Sequence, residues 1–180
     1  MLKFCFIILL PFFVLSQNSI AQKSDDIGSK NFSHHLGIGL GLTYGTLGGR
    51  YVFSPVDVFG LSVGLGYNLV GLGYNFAGIF SIPSKSRTQV YLSGMYGCNA
   101  VIRVEGAEGY NDTYSGISFG AGVKLNSRKN PGNYWDLGLI VPIRSTKFSD
   151  DWDAIKNNPS MSVQSDPWPV LLNVGYNFRL

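Results

Sequence analysis

The chain has 180 residues, a formal net charge of +3, and 23 glycines beside 12 phenylalanines and 10 tyrosines. So weak a positive balance argues against nucleic acid as a partner. One domain's worth of sequence with two cysteines, Cys5 in an N-terminal apolar run and Cys98, argues against a secreted disulfide scaffold.

In chain order, Lys3 precedes the apolar run 4–15, which is shorter than the roughly 20 residues a membrane-spanning helix needs. Ser19-Ile20-Ala21 then sets small residues two apart. Residues 1–21 are therefore expected to be a signal peptide, cut before Gln22. Cys5 lies inside the apolar run and not at the junction, which argues against a lipoprotein. Residues 22–34 are expected to be a short flexible segment, and 35–180 a barrel.

Eight segments follow with period 2, the signature of strands with two unlike faces. Segment one, 35–45, sets Leu36, Ile38, Leu40, Leu42 and Tyr44 against His35 and Gly37, Gly39 and Gly41. Segment two, 49–54, sets Tyr51 and Phe53 against Arg50 and Val52. Segment three, 59–69, and segment four, 72–82, repeat the pattern with Leu61, Val63, Leu65, Phe76 and Phe80 on the apolar face. Segment five, 88–104, puts Leu92, Tyr96, Cys98, Ala100, Ile102 and Val104 opposite Ser93, Asn99 and Arg103. Segment six, 115–126, has Phe119 and Val123 opposite Gly120, Gly122 and Lys124. Segment seven, 134–144, has Trp135, Leu137 and Leu139 opposite Asp136 and Gly138. The last segment sets Val174, Tyr176, Phe178 and Leu180 against Asn173, Gly175, Asn177 and Arg179.

One face is thus continuously apolar, while the charged residues share the other with glycine. A soluble barrel reverses this, apolar inside and polar outside. The connections alternate too. Those at 54–58, 83–87 and 127–133 are short and carry a net charge of +3, whereas 105–114 and 145–168 are long and carry −5. Short inner turns and long outer loops are what outer-membrane barrels show. Tyr44, Tyr51, Tyr67 and Tyr74 are read as an outer aromatic belt, and Phe53, Phe59, Phe80, Trp135 and Phe178 as an inner one.

The final octet places Asn173, Gly175, Phe178 and Leu180 in the spacing polar-x-Gly-x-x-apolar-x-apolar. This resembles the C-terminal assembly signal of bacterial outer-membrane proteins, with Leu180 where Phe is more usual. With the eight segments, the chain resembles the small eight-stranded OmpA/OmpX/OmpW-like group over residues 35–180. The resemblance implies an all-β, antiparallel, up-and-down transmembrane barrel in the Gram-negative outer membrane, recognised by the barrel assembly machinery and held by outer-membrane lipid. It implies little about ligand.

His34-His35 does not make a metal or catalytic pair, because adjacent strand residues point to opposite faces and no third ligand completes a zinc set. Gly37-x-Gly39-x-Gly41 lacks the following helix of a dinucleotide loop. No metal, cofactor or enzymatic activity is expected. The inward glycines are read as room for long inward side chains such as Arg50, Tyr91 and Met95, the alternative being a narrow wet lumen for a small or apolar solute. Residues 148–158 are expected to form a short helix capped by Ser149, with Trp152 and Ile155 on one face as candidates for covering the barrel mouth or meeting a partner. Lys124, Asp136, Arg179 and His35 form a lumen charge cluster. A turn centred on Asn130 sets Lys124 opposite Asp136, and a salt bridge between them is expected. The expected role is a monomeric, non-enzymatic, structural or surface-interaction protein acting through 105–114 and 145–168. A porin-like channel or carrier is the alternative, and a lipid-modifying enzyme a weaker one.

Overall fold

The computed structural model describes residues 32–104, 111–158 and 167–180. Within them the chain forms β1 (Ser33–Gly41), a 3-10 turn (Leu42–Tyr44), β2 (Thr46–Val56), β3 (Phe59–Tyr67), β4 (Leu72–Ser81), β5 (Thr88–Ile102), β6 (Asp112–Asn126), β7 (Tyr134–Pro142), α1 (Thr146–Lys156) and β8 (Leu171–Arg179). The strands pair antiparallel with their chain neighbours, and β8 returns to β1 to close the barrel. Closure leaves no sheet edge, so every wall strand satisfies its backbone on both sides. The expected signal peptide, the expected flexible segment up to residue 31, and positions 105–110 and 159–166 of the two long loops lie outside the described residues.

The period-2 pattern holds around the wall. Leu61, Leu65, Phe76, Leu92, Phe119 and Leu139 are more than half or about half exposed, while Val52, Ser62, Asn75, Tyr91 and Asn173 are buried. No Asp, Glu, Lys or Arg stands at an outward position of the paired wall between the turns; His34 is the one titratable imidazole there. Two outward glycines face each other as cross-strand partners, Gly78 on β4 and Gly94 on β5. Phe59 and Phe119 lie within contact distance of where their Cβ atoms would be, so aromatic rings cover those gaps.

Four expectations about elements change. Segment one stops at Gly41, and Leu42, Thr43 and Tyr44 turn into the lumen instead of extending the wall. Tyr44 is therefore a core residue and not part of an outer belt. Tyr51 also leaves that belt: it pairs with Leu36 and Val63, well down the wall. In β5 the register shifts between Cys98 and Ala100, leaving Asn99 as an extra residue. A bulge of this kind swaps the faces beyond it. Ile102, expected outside, is 3% exposed and packs inward, with Ala100 and Val104 partly buried beside it. The helix starts earlier, at Thr146, with Ser145 as N-cap accepting from the Phe148 amide at 3.3 Å. Asp150 and Asp151 fall in mid-helix.

Both described ends of the chain, Phe32 and Leu180, lie at the same end of the barrel as the turns at 57–58, 82–87 and 127–133. We call this the terminal end and the opposite one the loop end. At the loop end β5 and β6, each 15 residues, outrun their 9- to 11-residue neighbours.

Candidate functional site: the plugged lumen and the loop-end head

The lumen is filled from the β1–β2 connection. A strand continuing from Gly41 would keep Leu42 and Tyr44 on the apolar exterior. Instead the chain makes one 3-10 turn, closed by Gly45 at φ +69° with its amide donating to the Leu42 carbonyl at 3.1 Å. Thr46 follows at φ +82°, a strained conformation for a β-branched residue, costing on the order of 1–3 kcal/mol. The surroundings must over-determine it, and they do. Tyr44 is fully buried, and its ring occupies the place where a Cβ on Gly175 would stand. Asn75 on β4 donates to the Leu42 carbonyl at 2.9 Å and to the Cys98 carbonyl at 3.0 Å, tying the turn to the far wall. The inward glycines therefore make room chiefly for this turn. Tyr91 takes the space left by Gly122 and Gly138, as expected.

One ion pair latches the turn. Arg50 Nη1 lies 2.8 Å from Asp136 Oδ2, with the two side chains 2% and 1% exposed. Asp136 also accepts from Tyr91 Oη at 2.6 Å, Asn173 Nδ2 at 2.9 Å and Tyr44 Oη at 3.3 Å. Arg50 donates further to Asn177 Oδ1 at 3.0 Å and Thr43 Oγ1 at 3.3 Å, and its guanidinium lies 4.5 Å over the Tyr44 ring. Asn177 Nδ2 donates to Tyr44 Oη at 3.0 Å, and Thr43 donates to Asn173 Oδ1 at 2.5 Å. A buried pair repays its desolvation only when its remaining lone pairs and protons are also satisfied. Here both partners are held by several further groups drawn from the turn and from two more strands, β5 and β8.

The sequence-predicted cluster is only partly brought together. Lys124 and Asp136 are cross-strand partners, as the turn length required. They do not form the expected salt bridge. Lys124 Nζ donates to Ser81 Oγ at 2.8 Å and lies 5.5 Å over the Tyr134 ring. Asp136 is taken by Arg50, which reaches it over β1 because the inward positions there, Gly37 and Gly39, have no side chains. His35 pairs in register with Arg179. Its Nε2 bonds the Gly132 carbonyl at 3.1 Å, and its ring meets Tyr134 edge-on at 5.1 Å. Arg179 is exposed at the terminal end. Of the C-terminal set, Asn173 and Gly175 face the lumen around the latch, while Phe178 packs edge-on against Tyr176 outside, with Trp135 beyond it, and Leu180 is exposed. Arg50 and Tyr44 are the functional residues that sequence reasoning missed as partners. The missing inward side chains along β1 were the available signal.

A second cluster stands at the loop end. Past the bulge, Ile102 and Tyr114 pack against Phe148 and Ile155 of α1, with Trp152 partly buried beside them. Tyr114 Oη donates to Asp151 Oδ2 at 2.8 Å. Asn99 Nδ2 donates to the Ile143 carbonyl at 2.8 Å, fixing the approach to the helix. Lys147 Nζ meets Asp112 Oδ2 at 2.6 Å on the surface, a contact that lowers the Asp112 carboxyl below its ordinary range and raises Lys147. Trp152 and Ile155 thus do share a face, and that face lies on the hairpin. A cleft of about 510 Å³ opens beside the helix, lined by Arg144, Phe148, Ser149, Trp152, Asp153 and Lys156 among others.

Among the described residues, no group of three or more His, Cys, Asp or Glu side chains is arranged to hold a metal ion. Compared with protein-family models, with curated proteins and with solved structures, the chain matches none.

Proposed function

We propose that this chain is an integral barrel of a bacterial outer membrane, non-enzymatic and non-conducting, that presents its loop-end head for structural or surface contacts. The observation that carries this reading is the exterior. A closed wall of apolar side chains surrounds a polar, charged and glycine-lined space. Monomeric soluble proteins seldom expose contiguous apolar patches beyond a few hundred Å², whereas a lipid-facing wall needs one continuous band. A charge on that band costs about 2–4 kcal/mol at the bilayer midplane, which accounts for its avoidance. The strand lengths suit a tilted crossing of about 9–11 residues.

The plug supports the non-conducting reading over the channel alternative, because Tyr44, Arg50 and Asp136 occupy the lumen's cross-section together. Export by a signal peptide, and recognition of the strand carrying Asn173, Gly175, Phe178 and Leu180 by the barrel assembly machinery, belong to the same proposal. The test is electrophoresis of detergent-extracted protein with and without boiling, alongside fractionation of the expressing cell. A heat-dependent change in mobility and recovery with outer membranes are expected. Equal mobility, or recovery in the soluble fraction, overturns the reading. Steady current through reconstituted wild-type protein in a planar bilayer overturns its non-conducting part.

A further inference from the structure

We propose that the terminal-end rim is a docking surface for anionic phospholipid headgroups, built from Lys85, Arg87, Arg128 and Lys129. The inference rests on the membrane reading above and adds the chemistry of one leaflet to it. All four residues are exposed, and they lie on two turns brought side by side by the pairing of β5 with β6. The Asn126 amide donates to the Arg87 carbonyl at 2.9 Å, and Arg87 Nη2 donates back to the Asn126 carbonyl at 2.6 Å. Arg87 is thereby held next to the turn that carries Arg128 and Lys129. Among the described residues, no carboxylate lies within ion-pair distance of these four side chains. Such a cluster repels itself and is relieved by an external anion.

Its height identifies the anion. Directly beyond the same turn, Trp135 packs edge-on against Tyr176 at 5.0 Å, and Tyr176 against Phe178 at 4.8 Å, all on the outward face. Phe59 and Phe80, paired across β3 and β4, mark the same level on the other side of the Lys85 turn. Aromatic rings of this kind settle at the interface of a bilayer. The cations, one to four residues beyond the cross-strand row Thr88, Leu125 and Trp135, then stand at the phosphate level of the leaflet the rim faces. A basic residue there gains about fivefold in affinity for an anionic surface, an effect that salt screens. The loop end offers no counterpart. Its described cations, Arg103, Arg144, Lys147 and Lys156, share the head with Asp112, Asp150, Asp151 and Asp153.

The experiment is native mass spectrometry of the full chain released from nanodiscs containing equal phosphatidylglycerol and phosphatidylcholine. Wild type is expected to retain phosphatidylglycerol over phosphatidylcholine by tenfold or more. K85Q/R87Q/R128Q/K129Q is expected to fall to near parity, while R103Q/K147Q at the loop end keeps the wild-type ratio. Single glutamine variants at Lys85 and at Lys129 should each lower the ratio several-fold, which keeps the test open if the quadruple variant fails to assemble. Inorganic phosphate added during reconstitution should leave the retained lipid unchanged; displacement by it would show a free-anion site and overturn the headgroup assignment. A wild-type ratio near parity, or an undiminished ratio in the quadruple variant, overturns the proposal while a heat-modifiable barrel leaves the membrane reading standing. Failure of wild type to enter nanodiscs at all overturns both.

Discussion

The lumen and the loop-end head are both packed clusters, yet they are assembled in opposite ways. The latch joins Arg50 on β2, Asp136 on β7 and Asn173 and Asn177 on β8 through a turn that follows β1, so its members meet only once the barrel has closed. It buries an ion pair and surrounds it with five further hydrogen bonds, leaving Arg50 Nε without a partner. The head uses one hairpin and one helix, and its cluster of Ile102, Tyr114, Phe148 and Ile155 is mostly apolar. The difference teaches where stability is shared. A cluster spanning the whole wall should fail with the fold, and a local one should open alone.

The largest expected effect is at Asp136. Asp136→Ala strands Arg50 without its counter-ion and should cost about 3–5 kcal/mol of barrel stability, measured as urea unfolding in detergent. Replacing both charges, Arg50→Met with Asp136→Leu, should recover more than half of that loss. Lys124→Ala should show little coupling to Asp136→Ala, because Lys124 is held by Ser81. Strong coupling to Lys124 and none to Arg50 would contradict the latch. Next comes Gly175→Val, whose side chain would enter the space of the Tyr44 ring. It should cost about 1–3 kcal/mol or more, as overpacking does, and displace the turn so that planar-bilayer recordings show current absent from wild type. An unchanged melting curve with a silent bilayer would place Tyr44 elsewhere.

In the head the same size of lesion should stay local. Phe148→Ala should abolish hydrogen-exchange protection in Thr146–Lys156 while shifting global unfolding by no more than about 1 kcal/mol, since sub-global opening is independent of the barrel. A global loss like that at Asp136 would erase the contrast between the two regions. The smallest effect is at the surface. Asp112 has its carboxyl lowered by the Lys147 hydrogen bond, so the stability it lends is present above the ordinary carboxylate range. It is lost as pH falls through the lowered value. Asp112→Asn should therefore slightly lower protection of α1 at neutral pH and make no difference in strong acid.

Much of the wall was legible because strands with one apolar and one polar face are a strong and simple code. Leu61, Val63 and Leu65 against Ser62 and Gly64 admit one phase, and a one-residue slip would turn all of them over. The Lys124–Asp136 register followed from the length of the 127–133 turn alone. The plug was not legible because Leu42 and Tyr44 keep the alternating phase of β1 and are of the same residue types as the outward-facing side chains of the wall. Period 2 cannot distinguish a strand that goes on from one that folds inward. The Arg50–Asp136 pair was hidden for a related reason: parity says which residues face inward, but not which reach one another across a lumen. Only the empty inward positions at Gly37, Gly39 and Gly175 hinted that something large had to enter. At Asn99 a single extra residue reversed the faces of Ala100 and Ile102, and nothing in their chemistry marks it. The helix start was within reach. Phe148, Trp152 and Ile155 stand at i, i+4 and i+7, a stripe that begins before Ser149 and selects Ser145 as the cap.

The proposal that the wall faces lipid is tested most directly by fluorescence depth. With Trp135, Trp152 and Trp168 replaced by Phe, single tryptophans at Leu61, Val63 and Leu65 of β3 would be read in bilayers whose acyl chains carry bromine at known depths. The wall described here predicts blue-shifted emission at all three, quenched by bromine at depths that change in order from Leu61 to Leu65. Red-shifted emission unaffected by brominated lipid would place that face in water and contradict a membrane barrel.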